Sequence, residues 1–236
     1  MQSLADCYLK LVRNGRFAAL ECAAMNQNAP KSSAGRIVAV AVAIIMVVAG
    51  LATSLLLSRQ PVDFRYATVL QPPATLPDFV AIDHNGERFD AAAFQGQWNL
   101  VFFGFTHCPD ICPTTLAQLA TARRKLQTEF AVTAPLRIVF VSIDPERDTT
   151  DVIAPYVGYF GENVTGLTGD PAQIDLLARG LGAFYQKVTM TNGDYAMDHS
   201  AAIMVINPDG EFRALFNAPF QLDLFVRDMQ SLLNLG

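Results

Sequence analysis

The stretch Leu100-Val101-Phe102-Phe103-Gly104-Phe105-Thr106-His107-Cys108-Pro109-Asp110-Ile111-Cys112-Pro113-Thr114-Thr115-Leu116 decides how this 236-residue chain is read. Residues 100–105 form an unbroken apolar run of strand length, the pattern of a strand buried on both faces. The run delivers the chain to two cysteines with three residues between them. Beyond them Leu116, Leu119, Ala120 and Leu126 recur at helical spacing, and Pro113 suits the first position of that helix. A strand-loop-helix unit therefore frames Cys108 and Cys112. A proline at 113 biases Cys112 away from helical geometry, so both sulfurs are expected on a loop stiffened by Pro109 and Pro113.

Towards the N-terminus, residues 79–82 and the turn Asp83-His84-Asn85-Gly86 predict a small hairpin. Towards the C-terminus a second apolar strand, residues 136–143, ends at Asp144-Pro145, and helical stretches follow over 149–160 and 171–181. A hairpin comes next, with strands over 201–206 and 212–216 about the turn Asn207-Pro208-Asp209-Gly210. An amphipathic helix over Leu222, Phe225, Val226 and Met229 closes the chain. The alternation is that of a layered α/β fold, and the closing strand-strand-helix is the thioredoxin-like arrangement. No internal repeat or low-complexity stretch interrupts it.

Residues 37–58 carry no charge, and as a helix they would reach about 33 Å, enough to cross a hydrocarbon core of about 30 Å. The alternative is a cleaved signal peptide, whose apolar region is usually shorter, at about 7–15 residues. The expected organisation is a thioredoxin-like α/β fold preceded by one transmembrane helix: a cytoplasmic tail 1–36, the helix 37–58, a linker 59–74 containing Pro61, Pro72 and Pro73, and a domain 75–236. Lys10, Arg13, Arg16, Lys31 and Arg36 against Asp6 and Glu21 make the tail +3, leaving −8 for the rest of a chain of net charge −5. This balance favours the tail inside and the domain outside, a single-pass inner-membrane protein facing the periplasm, although Arg59 and Arg65 flank the far end of the span. Cys7 and Cys22 in the tail read as incidental. An acidic domain without clustered Lys and Arg excludes nucleic acid as a partner.

In a thioredoxin-like fold the loop after the central strand meets the start of a helix, where free N–H groups and the helix dipole favour a thiolate. A disulfide oxidoreductase would carry Cys-x-x-Cys there, and this chain has one residue more. Two thiolates can share a metal with bonds near 2.3 Å, whereas a disulfide needs the sulfurs about 2.0 Å apart, so metal binding and reversible oxidation both stay open. A metal needs a third ligand, and the chain has three histidines. His84 falls in a predicted turn and reads as solvated, while His107 adjoins Cys108 and its ring should point away. His199 lies in Asp198-His199-Ser200, just before the strand 201–206, in the segment that faces the helix N-terminus. Thiol oxidoreductases keep a proline at that place, and none occurs here between Pro171 and Pro208. A Cys2His set suits Cu(I), and also Cu(II) or Zn(II), with copper the sharper choice. The competing reading is a buried, hydrogen-bonded histidine beside an unrelated dithiol.

At these residues the sequence resembles the SCO/SenC family of copper proteins for cytochrome c oxidase assembly, over roughly residue 72 to the C-terminus. The resemblance rests on residues 103–116, on Val141-Ser142-Ile143-Asp144-Pro145-Glu146-Arg147-Asp148-Thr149, on Gly166-Leu167-Thr168-Gly169 and on Asp198-His199-Ser200-Ala201. It implies that Cys108, Cys112 and His199 bind copper, as Cu(I) or Cu(II), in a metallochaperone rather than an enzyme, with the copper-receiving oxidase subunit as partner. An upstream copper donor and a thiol reductant of the pair are further implied partners. The alternative is a thiol-disulfide reductase acting through Cys108 and Cys112 on the cysteines of that subunit. Asp144 is implied to lie close by, supporting the ligands or facing a partner, although Asp-Pro at a strand end is also a common turn. Met190, Met197 and Tyr195 read as loop packing. The chain departs from the family pattern at Ala74-Thr75-Leu76-Pro77, where a glycine pair is expected, and at Thr150, which stands for a proline.

Overall fold

The structure, a computed structural model, describes residues 33–57, 63–191 and 193–234. The tail to residue 32, with Cys7 and Cys22, and residues 58–62 lie outside them. The chain divides into two units, residues 1–61 and 62–236. In the first, helix α1 spans Ser33–Leu57, and its window Ile37–Ser54 has a mean hydropathy of 2.6 with none of it buried. It is long and apolar enough to cross a membrane.

The second unit is a mixed sheet with helices packed on it. In chain order its elements are β1 (Ala67–Thr75), β2 (Val80–Asp83), β3 (Arg88–Asp90), β4 (Trp98–Gly104), α2 (Ile111–Thr128), β5 (Leu136–Ser142), α3 (Thr150–Gly158), β6 (Val164–Thr168) and α4 (Pro171–Gly180). There follow β7 (Tyr185–Thr189), β8 (Tyr195–His199), β9 (Ile203–Ile206), β10 (Glu211–Phe216) and α5 (Leu222–Leu233). Eight strands run in the order β1-β10-β9-β4-β5-β6-β2-β3, and β7 and β8 form a separate two-stranded sheet. Strands β4, β5 and β6 are parallel, while β9 lies antiparallel to β4 on its other side. The parallel centre and the closing β9-β10-α5 unit bear out the thioredoxin-like reading.

Every residue of β4 is buried, which is why its sequence is a continuous apolar run rather than an alternating one. Leu100, Phe102 and Phe103 from this strand and Leu116 and Leu119 from α2 are at most 1% exposed, each contributing roughly 1.5–3 kcal/mol by burial. The core therefore sits directly beneath the turn that carries the cysteines.

Four expectations need correction. The stretch read as linker contains β1, which pairs with β10 at the sheet edge. Pro72 and Pro73 hid it, yet they fall where the register shifts between Val69 and Ala74, and an edge strand tolerates residues that cannot donate to a ladder. Asp228 of α5 fastens its start, accepting from the N–H groups of Tyr66 at 2.7 Å and Ala67 at 3.0 Å. Helix α2 begins at Ile111, so Cys112 lies in its first turn rather than on a loop. Pro113 is harmless there because the first N–H groups of a helix have no intrahelical partner. Strands β6, β7 and β8 are additional to the predicted elements. Finally, His84 is only half-exposed, and its Nδ1 accepts from Gly166 N–H at 3.2 Å, tying the β2–β3 turn to β6.

Candidate metal centre

Gly104 ends β4 where backbone and side chains crowd most. A Cβ there would stand 2.9 Å from Cys112 Sγ and 2.9 Å from Phe140 Cε2, so a side chain would displace the sulfur or the aromatic wall behind it. The chain then turns through Thr106 and His107, with Cys108 N–H donating to the Phe105 carbonyl at 3.2 Å. Cys112 N–H, one of the free donors at the start of α2, lies 3.5 Å from Cys108 Sγ. Both cysteines are free thiols, Cys108 9% and Cys112 0% exposed. Pro109, Asp110 and Ile111 between them are exposed, so the buried sulfurs lie under a surface loop.

The turn is held by a carboxylate to which the sequence reading assigns no role. Asp148, wholly buried, accepts from Thr106 N–H at 2.9 Å, from Thr106 Oγ1 at 2.5 Å and from Ser142 Oγ at 2.6 Å. It links the end of β5 to the first residue of the cysteine turn. Asp148 closes the block Asp144-Pro145-Glu146-Arg147-Asp148, but nothing within that block marks which donors its carboxylate meets. His107 points away from the sulfurs as expected, half-exposed, with Nδ1 3.1 Å from Thr106 Oγ1 and 3.7 Å from Asp148.

His199 ends β8 and comes to the cysteines from a different part of the chain. Its Nε2 lies 3.5 Å from Cys112 Sγ and its Nδ1 3.2 Å from the Ser200 carbonyl. A proton on Nδ1 donated to that carbonyl leaves the Nε2 lone pair facing the sulfurs, the tautomer a metal requires. Phe102 and Phe105 meet the ring edge to face at 5.9 and 6.1 Å. Burial lowers the imidazole pKa, against the Ser200 carbonyl and Asp198, and so favours the neutral, metal-binding form. Burial also pushes the Cys112 thiol up, and Cys108 adds to the rise, outweighing a backbone hydrogen bond from Phe105. This direction runs against the thiolate expected at a helix start, and a cation bound at the sulfur would oppose it.

Cys108 Sγ, Cys112 Sγ and a nitrogen of His199 all lie within 4.8 Å of one another, the one cluster of this kind found among the described residues. With metal–sulfur bonds near 2.3 Å and metal–nitrogen bonds near 2.0 Å, ligands around a trigonal ion stand about 4 Å apart, between the 3.5 Å separating Cys112 Sγ from His199 Nε2 and the 4.8 Å within which all three atoms lie, so only small adjustments are needed. Two sulfurs and one imidazole form a soft donor set. Asp144 is not in this cluster. It is 3% exposed and bound by Tyr195 Oη at 2.9 Å and by Arg147, so its carboxylate turns inward rather than to the surface. Met197 is buried and Met190 is exposed.

A family profile described as SCO1/SenC matches residues 67–234. Among curated proteins, the chain is 43% identical over 136 residues to bovine "Protein SCO2 homolog, mitochondrial", covering 57% of this chain and 51% of that one. It spans about half the length of this mitochondrial relative. Among solved structures, it resembles Arabidopsis thaliana ScoI with copper bound at a TM-score of 0.65 and 32% identity, over 69% of this chain and all of the other. Bradyrhizobium japonicum ScoI with copper bound follows at 0.57 and 34%, over 68% and 98%. The profile begins at the first residue of β1 and ends one residue past α5, so the edge strand concealed by its prolines belongs to the shared fold, and the chain is a member of the SCO1/SenC family.

Proposed function

We propose that this protein is a membrane-anchored copper chaperone, holding copper through Cys108, Cys112 and His199 and passing it to the dinuclear copper centre of a cytochrome c oxidase subunit. The observation that carries the reading is the meeting of two free thiols and one imidazole nitrogen within 4.8 Å. Helix α1 would anchor the chain in the inner membrane, with the metal centre on the periplasmic side. The tail charge and the length of the apolar window support that placement.

Cys108 and Cys112 would hold the ion as thiolates, each thiol giving up its proton to solvent on loading. His199 keeps Nε2 free for the ion by donating Nδ1–H to Ser200. Asp148 holds the cysteine turn in place while ligands exchange. Delivery proceeds as an incoming thiolate replaces one ligand at a time, which moves the ion without turnover of a substrate. An upstream copper donor and a reductant for the cysteine pair complete the set of partners. The competing reading, a thiol-disulfide reductase acting through Cys108 and Cys112, gives no task to His199, whose Nε2 stands 3.5 Å from Cys112 Sγ.

Copper bound per reduced chain, with X-ray absorption to count neighbours, tests the proposal. One copper with two sulfurs and at least one nitrogen is the expected result. His199→Ala should lose the nitrogen and tight binding, whereas a reductase would keep reducing its target. Unchanged copper affinity in that variant would remove the chaperone reading.

A further inference from the structure

His199 stands on a hairpin whose strands, among the described residues, pair only with each other. The main-sheet ladder therefore does not by itself set the distance from His199 to Cys112, and side chains must contribute. Alternate residues of a strand share a face, which in β8 places Tyr195, Met197 and His199 together. His199 meets the cysteines, Met197 is buried in the core, and Tyr195 occupies the far end.

Tyr195 is held from several sides. Its hydroxyl donates to Asp144 Oδ1 at 2.9 Å. Two cations lie over its ring, the Arg147 guanidinium and Lys187 Nζ, each 3.8 Å from the centroid. Arg147 is paired with Asp144, donates to the Tyr195 carbonyl at 3.3 Å and reaches Asp194 at 3.7 Å. The same guanidinium lies 5.9 Å from the ring of Phe105, which itself packs on His199. Lys187, from β7, is paired with Glu146 at 2.8 Å. Residues 144, 146 and 147 all belong to the turn after β5, so these contacts join the hairpin to that one turn.

We propose that Tyr195 is a positioning residue for copper transfer: gripped by Asp144, Arg147 and Lys187, it latches the β7–β8 hairpin to the turn after β5 and keeps His199 on the ion, setting the rate of copper release. The inference rests on the copper-carrying reading above. A soft ion holds thiolates more firmly than imidazole, so His199 is the ligand that yields first to an incoming sulfur, and the element that restrains it governs delivery.

The test uses the full chain, reduced and loaded with one Cu(I), and follows transfer to a chromogenic Cu(I) chelator. X-ray absorption reports the nitrogen neighbour. Tyr195→Leu should release copper about tenfold faster, the factor expected for losing a partly buried cation–π contact and a hydrogen bond to a carboxylate. Its nitrogen shell should weaken while the two sulfurs persist. Tyr195→Phe, which loses only the hydroxyl, should release about threefold faster. Wild-type release with a full nitrogen shell in Tyr195→Leu overturns the latch. If that variant does not fold, Tyr195→Phe and Lys187→Met decide it, and wild-type rates in both overturn the proposal. A wild-type protein that binds no Cu(I), or binds it without nitrogen, overturns the copper-carrying reading itself. Normal binding in wild type with no change in the variants overturns the latch alone.

Discussion

The turn between β4 and α2 and the β7–β8 hairpin bring two thiols and an imidazole to one place by opposite means. The cysteine turn grows from the middle of the main sheet, with β5 on one side and β9 on the other, and its first residue is tied down by Asp148. The hairpin is paired only with itself among the described strands and meets the body through side chains such as Tyr195 and Met197. A backbone ladder cannot yield without unfolding its neighbours, whereas side-chain contacts can open locally. The site thus combines a fixed pair of sulfurs with a nitrogen on a separable element, an arrangement suited to both holding and releasing an ion.

Removing ligands tests this contrast most severely. Cys112→Ala should abolish stoichiometric Cu(I) binding, while His199→Ala should retain a two-sulfur complex that gives up its ion to a chelator far sooner. Equilibrium competition and X-ray absorption would distinguish them, and equal losses in both would break the comparison. Asp148→Ala should loosen the fixed side by leaving the Thr106 and Ser142 donors unpaired. About 3 kcal/mol of stability should be lost, measured by denaturant unfolding. Gly104→Ala should cost about 2 kcal/mol, because the new methyl meets Cys112 Sγ and Phe140, and copper affinity should fall with it.

How much of this could be read in advance differed between the same two regions. Residues 100–105 announce a buried strand because a central parallel strand has no solvent face, and Cys108 and Cys112 follow it at once. Strands β7 and β8 carry Gln186, Lys187, Asp198 and other polar residues on two five-residue segments, β7 largely exposed and β8 largely half-buried, so no sustained apolar period marks them. His199 was nonetheless identifiable from its place before β9. Its support was not, since Arg147 and Tyr195 lie 48 residues apart and meet only in the fold. Asp148 was hidden in part for the same reason, since Thr106 lies 42 residues away, and no local pattern marks Ser142 as its other partner.

The edge strand β1 extends the comparison with a smaller, pH-dependent effect. Burial opposes ionisation of Asp228, but hydrogen bonds from Ala67, Arg227 and Tyr66 outweigh it and hold the carboxyl below its ordinary value. Its stabilising contribution is therefore complete above the ordinary carboxylate range and is lost as pH falls through that range towards the lowered folded value. Asp228→Asn should cost about 1 kcal/mol at neutral pH and flatten the acid limb of the stability profile. An unchanged acid limb in unfolding titrations would show that β1 is held by its ladder to β10 alone.

The sequence by itself determined the chemistry and the central topology. A continuous apolar run, a Cys-x-x-x-Cys turn and a histidine standing where a proline is expected are local signals, set by burial and by covalent spacing. Only the tertiary structure decided that Cys112 lies in a helix, that β1 is a strand in spite of its prolines, and that Asp148 ties down the cysteine turn while Tyr195 ties the hairpin to the turn after β5. Those facts depend on groups distant in the chain becoming neighbours, and no local period or motif records which buried donor a carboxylate will meet.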